Sequence, residues 1–324
     1  MTSTRTLGSS DIAVSTLGIG CNAFGTRIDQ AQTTAVVDAA LEHGITFFDT
    51  ADVYGFGQSE QLLGTALGSR RDQVVIATKF GLDMKGASGD DGGARGSAAY
   101  IRTSIEASLR RLGTDHVDLY QLHSPDPATP MEETLTTLTE LVTEGKVRAI
   151  GSSNLQAWQV VDAAWISRTH GLASFVTAQN EYSLYNRTAE VELVPACVDL
   201  GVGILPYFPL AYGLLTGKYR RGESAPEGTR LAAQAQAARL ESADWERIDA
   251  LQAYADARGI SILELAIGGL AAQPAVASVI AGVSRPEQVA ANVAAAAWTP
   301  TADDVAELAL IGRPQQSYTT FAPH

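Results

Sequence analysis

Apolar positions along the chain fall into two alternating patterns. Short continuous runs rich in Val, Ile, Leu and Phe recur at residues 16–20, 45–48, 74–78, 117–122, 147–151, 175–178, 202–206 and 277–281. Each reads as a strand buried on both faces. Between them the apolar spacing changes to a helical period, over 33–43, 58–67, 98–112, 131–144, 156–169, 190–200, 261–272 and 287–296. Eight strands alternating with eight helices, with no Pro/Ser-rich linker dividing them, predict one α/β domain over residues 1–324: a single closed (β/α)8 TIM barrel. Residues 5–14 precede it and read as an N-terminal β-hairpin placed to plug the barrel bottom. Two spacings are longer than the rest. One holds the glycine-rich segment 81–96, and the other holds a loop at 210–242 followed by an extra helix at 243–258. Long loops on the C-terminal face of a barrel cover an active site.

Composition narrows the partners. With 23 basic against 36 acidic side chains the net charge is −13, which repels polyphosphate and argues against a nucleic-acid groove or an anionic membrane surface. The uncharged runs 200–217 and 265–284 are broken by Pro206, Pro209 and Pro274, so no membrane span is expected. Cys21 and Cys197 stand apart with no histidine or second cysteine at ligand spacing, so neither a disulfide framework nor a metal site is expected. The first residues carry no apolar signal region. The expectation is a cytoplasmic protein whose oligomeric state the sequence leaves open.

Barrel chemistry comes from strand C-termini. The residues just past each apolar run are Asp49, Lys79, His123, Ser153 with Asn154, Gln179 with Asn180, and Tyr207. Singly they read as a helix cap, a solvated strand end or a loop histidine. Together they converge on one rim, which is the pattern of a functional site. Tyr54 lies on the loop above the second strand, where a lysine ammonium is expected to lower its pKa from about 10 and make it a general acid, with Asp49 holding Lys79 and His123 bonding a substrate oxygen. The stretch 18–23 satisfies the dinucleotide pattern G-x-G-x-x-A, but residues 24–28 intervene before any helical period, so a Rossmann reading is disfavoured. Phe24, Phe56, Phe80 and Tyr120 lie near the expected rim and are candidates for an aromatic substrate pocket.

The segments GITFFDTADVYG at 44–55, IATK at 76–79 and DLYQLH at 118–123 resemble the aldo-keto reductase superfamily. The resemblance implies a catalytic tetrad of Asp49, Tyr54, Lys79 and His123, with Tyr54 donating a proton to an aldehyde or ketone that an NADP(H) cofactor reduces. GSSN at 151–154 and AQN at 178–180 resemble the segments that hold the nicotinamide carboxamide through Ser153, Asn154 and Gln179, while Tyr207 resembles the aromatic that stacks on the ring. Gly18 and Gly20 read as a tight strand end, which puts Gly20, Cys21 and Asn22 near the cofactor. LPYFPLAYGLLTGK at 205–218 is similar to the loop over the pyrophosphate, with Phe208, Pro209, Leu210, Gly213 and Lys218 in it and Arg230 beyond. AGVSRPEQVAAN at 281–292 resembles the adenosine-phosphate site, implicating Gly282, Ser284, Arg285, Gln288 and Asn292. Ser284 and Arg285 also precede a helix with Pro286 in its first turn, so free N–H groups and a guanidinium are expected to face a 2′-phosphate. Phe208 stands where many members have serine, and Ala291 where some have glutamate. Potassium-channel β subunits resemble the same barrel and tetrad, which leaves an NADP-sensing interaction subunit as the alternative to a carbonyl reductase.

Overall fold

The structure, a computed structural model, describes residues 3–87, 92–233 and 236–314. Strands β1 (Thr4–Thr6) and β2 (Ala13–Ser15) form the antiparallel hairpin. The parallel strands are β3 (Leu17–Gly20), β4 (Phe47–Asp49), β5 (Val75–Phe80), β6 (Val117–Leu122), β7 (Val147–Ser153), β8 (Phe175–Gln179), β9 (Gly203–Ile204) and β10 (Val279–Gly282). Consecutive strands are neighbours from β3 to β9, and β10 lies beside β3. Backbone bonds from Ile204 N–H to the Ala275 carbonyl (2.7 Å), Ala277 N–H to that of Ile204 (2.9 Å) and Ile280 N–H to that of Pro206 (3.0 Å) close the ring. Each predicted strand is present, with bounds shifted by a few residues.

Around the barrel run α1 (Gln30–Glu42), α2 (Gln58–Leu67), α3 (Ala98–Leu112), α4 (Met131–Thr143), α5 (Ala157–His170), α6 (Leu193–Leu200), α7 (Ala237–Glu241), α8 (Trp245–Ala257), α9 (Ile262–Ala271), α10 (Pro286–Ala295) and α11 (Ala302–Leu308). The sixth predicted helix starts late because Pro195, which lacks an N–H, fits only its first turn; a separate 3₁₀ turn covers Thr188–Glu190. Helix α11 escaped the periodicity because only Leu308 is buried, although Thr301 and Asp304 form a capping box at its start.

Barrel strands alternate inward and outward with period two. Phe47, Val75, Ala77, Leu119 and Ala149 point inward and pack with Leu7, Ile12 and Val14 of the hairpin, which plugs the N-terminal mouth as expected. Each of the larger side chains among them stabilises the fold by about 1.5–3 kcal/mol. Gly8 turns the hairpin at φ +52°, and a Cβ there would meet the Val176 carbonyl oxygen at 2.1 Å. No other residue fits so close an approach. Two places further along the strands the same parity places Asp49, Lys79 and Gln121 inside the C-terminal mouth. A second cluster, including Leu214, Leu215, Leu251 and Leu265, packs the long post-β9 segment against α8 and α9. Among the described residues no helix is long and apolar enough to cross a membrane.

Candidate active site

At the C-terminal mouth lies a cavity of about 450 Å³. Its lining brings together Gly20, Asn22, Asp49, Tyr54, His123, Ser153, Asn154, Gln179, Tyr207, Phe208, Pro209, Leu210, Gly213, Lys218, Arg230, Gly282, Ser284, Arg285 and Gln288, nearly the whole expected set. Three expected residues do not reach it. Lys79 is buried beneath the floor, Asn292 is packed in α10, and the Cys21 thiol bonds back to the Ile19 carbonyl at 3.6 Å. Burial holds that thiol well above its ordinary pKa.

At and beneath the floor lies a buried ion pair. Lys79 Nζ donates to Asp49 Oδ2 at 2.7 Å and to the Thr50 carbonyl at 2.8 Å, and lies 3.4 Å from the Tyr54 hydroxyl. Burial alone would lower the Lys79 pKa, but Asp49 and Tyr54 outweigh it and the ammonium is held above its ordinary value. Tyr54 departs from expectation. Although the ring is partly exposed, the hydroxyl lies deep, and its burial exceeds the pull of Lys79, so the phenol is pushed above 10 instead of below it. His123 stands edge-on to Tyr54 with ring centroids 5.9 Å apart. Burial, aided by the Lys79 charge, pushes its pKa down to about 3, so the imidazole is neutral at ordinary pH. Backbone geometry supports the presentation of Tyr54: Gly55, Phe56 and Gly57 all take positive φ, turning the chain sharply into α2.

The amide side is already bonded internally. Ser153 Oγ donates to the Gln179 carbonyl at 2.9 Å, and Asn154 Nδ2 donates to the His123 carbonyl at 2.9 Å while its Oδ1 accepts from Tyr207 at 2.8 Å. Asn154 holds φ +59° to do this. The segment after β9 carries more of the same conformation, with Phe208, Ala211, Tyr212 and Gly213 all at positive φ. Such clustering of costly dihedrals belongs to functional loops.

Cations gather at the other end. Arg27, Lys218, Arg230 and Arg285 line the cavity, and among the described residues none of them makes an ion pair. Arg230 lies over the Phe208 and Tyr212 rings, at 5.1 and 5.2 Å from their centroids. The Ser284 N–H, expected free, instead donates to Gln288 Oε1 at 2.8 Å, so the guanidinium of Arg285 is the open group there.

The expected aromatic substrate pocket does not form. Phe24, Phe80 and Tyr120 are wholly buried, with Phe80 stacked on Tyr120 at 4.7 Å, and Phe56 is exposed outside the cavity. Strand-end aromatics here pack the core. Sequence reading missed Arg27, Tyr212, Thr216, Tyr219 and Thr229 in the lining, and Gln121 beneath it. Gln121 had a signal: it sits two residues past the inward Leu119 and two before His123. Gly18 and Gly20 belong to strand β3 and open no helix, which removes the Rossmann reading.

Comparison with known proteins agrees with the barrel fold. The chain is 40% identical over 237 residues to an uncharacterized oxidoreductase, YrpG, of Bacillus subtilis, covering 71% of this chain and 72% of that one. It is 34% identical over 300 residues to a probable voltage-gated potassium channel subunit beta of Arabidopsis thaliana, covering 90% of each. Among solved structures, aldo-keto reductase AKR11C1 from Bacillus halodurans in its holo form superposes with TM-score 0.76 at 33% identity, covering 95% of both chains. The profile of the Aldo/keto reductase family matches residues 16–312, from the first barrel strand past the last helix. With the profile spanning almost all of the barrel, and a solved reductase matching it end to end, this chain belongs to the aldo/keto reductase family and carries its (β/α)8 fold.

Proposed function

We propose that this protein is an NADPH-dependent carbonyl reductase that uses Tyr54 as general acid. The observation that carries the reading is the buried Lys79–Asp49 pair set 3.4 Å from a tyrosine hydroxyl at the cavity floor. A bound nicotinamide cofactor supplies the hydride in this family's chemistry. The residues fit that group: cations without ion pairs among the described residues stand at one end of the cavity and suit phosphates, and Ser153, Asn154 and Gln179 at the other suit a carboxamide. Arg285, exposed and without an ion pair among the described residues, is the residue assigned to a 2′-phosphate, which favours NADPH over NADH.

Tyr54 keeps its proton at every ordinary pH, so it is always competent to donate. A developing alkoxide is more basic still, and the Lys79 ammonium stabilises the phenolate left behind. His123, neutral, offers an N–H to the same carbonyl oxygen and orients it without competing for the proton. Replacing Tyr54 by Phe tests this, because it deletes one hydroxyl and keeps the ring. NADPH oxidation at saturating aldehyde should fall by roughly 10²–10⁴-fold with NADPH affinity retained; a variant as fast as wild type would remove Tyr54 from the chemistry. The likeness to a probable channel β subunit favours a second reading, in which the nucleotide site serves an interaction subunit. Negligible turnover of every carbonyl by wild type, with tight NADPH binding, would select it.

A further inference from the structure

Asp49 holds the lysine that serves Tyr54, and something must hold Asp49. Its Oδ2 is taken by Lys79. Its Oδ1 accepts from two amides, Gln179 Nε2 at 2.8 Å and Gln121 Nε2 at 3.2 Å. The two glutamines differ in what else they can reach. Gln179 lines the cavity, and the reading above assigns its amide to the cofactor carboxamide. Gln121 is wholly buried and does not line the cavity; its Nε2 bonds Asp49 and its Oε1 lies 3.5 Å from Gln179 Nε2.

The barrel makes room for this amide. Gln121 pairs in register with Lys79 on β5 and with Gly151 on β7. A Cβ at position 151 would come 3.1 Å from Gln121 Cγ and 2.3 Å from Thr177 Oγ1, so glycine leaves the space the glutamine side chain occupies. A buried carboxylate beside an inward layer of Phe47, Ala77 and Leu119 needs donors on both oxygens. An aliphatic residue at 121 would leave Oδ1 dependent on Gln179 alone.

We propose that Gln121 is a positioning residue for proton delivery: its amide keeps the Asp49 carboxylate, and through it the Lys79 ammonium, aligned with the Tyr54 hydroxyl when Gln179 turns to the cofactor. The inference rests on Tyr54 being the proton donor. Gln121→Met removes the donor at similar volume. It should lower kcat about tenfold or more, the equivalent of one hydrogen bond to a charged group, while KM for the carbonyl and the NADPH dissociation constant stay within about twofold. It should also raise the Tyr54 pKa, read without turnover as the phenolate absorbance that disappears in Tyr54→Phe, because Asp49 loses a donor and its charge acts more fully on the phenol. Gln121→Glu supplies a second test if the Met variant does not fold. A protonated glutamic acid still donates to Asp49 and an ionised one cannot, so its activity should approach wild type at low pH and collapse as the new carboxyl ionises. A Gln121→Met enzyme with wild-type kcat and an unmoved Tyr54 titration overturns the proposal, as does a Gln121→Glu enzyme whose pH profile parallels wild type. These outcomes are separate from failure of the underlying reading, which is a Tyr54→Phe enzyme that turns over normally.

Discussion

Replacing Lys79 by Met should destabilise the protein as well as slow it. Both partners of the pair are out of water, with Lys79 at 0% and Asp49 at 2% exposure. The substitution leaves a buried carboxylate with only the amides of Gln121 and Gln179. Breaking a buried pair from one side costs about 3–5 kcal/mol, because the remaining charge is uncompensated. For 324 residues the unfolding entropy is about 0.7 kcal/mol per kelvin, so the melting temperature should fall by about 4–7 °C. Urea titrations of wild type, Lys79→Met and Asp49→Asn/Lys79→Met measure the loss. The double variant carries no buried charge at the floor and should recover at least half of the loss. A single variant within about 1 kcal/mol of wild type, or a double variant worse than the single, would refute the argument. Turnover of Lys79→Met should drop by orders of magnitude, with NADPH affinity largely kept, since Lys79 does not line the cavity.

Arg285→Ala should erase most of the NADPH-over-NADH preference, a loss of about 1.5–3 kcal/mol in NADPH binding alone, measured by fluorescence titration of both cofactors. Because burial pushes His123 down to about 3, kcat should show no limb near the ordinary histidine value of 6.5; a limb there that vanishes in His123→Gln would contradict the neutral imidazole. Asp52 offers a test in stability. Burial, aided by the nearby Glu60 charge and only partly opposed by the Val53 backbone, Arg111 and the Ser104 bond, lifts its pKa from 3.8 to about 7. The native state then holds a proton that the unfolded chain has lost between about pH 4 and 7, so stability should decline as pH rises through that window, by about 4 kcal/mol at most. Asp52→Asn should flatten the decline and leave the variant more stable than wild type at pH 8, as read by urea titration.

Alternation of apolar runs pointed to the barrel, because strands buried on both faces and amphipathic helices leave different periods in the chain, and eight repeats with no dividing linker favour one closed ring. Strand ends determined where Asp49, Lys79 and His123 would collect. Chain order also carried the hairpin plug, since Leu7, Ile12 and Val14 repeat the apolar pattern ahead of the first barrel strand. Depth was decided only by the tertiary structure. Whether Phe24, Phe80 and Tyr120 face a cavity or the core depends on what packs over them, which no local pattern records. Burial also reversed the expected direction of the Tyr54 shift, because desolvation sums over every neighbour whereas the Lys79 charge is one of them. Residues 234–235, within the predicted loop 210–242, part of 81–96 and most of the tail beyond 312 lie outside the described residues. Gln121 shows the division most plainly: its inward direction was legible from the strand period, but its bond to Asp49, two strands away and 72 residues back, exists only once the barrel has closed around both.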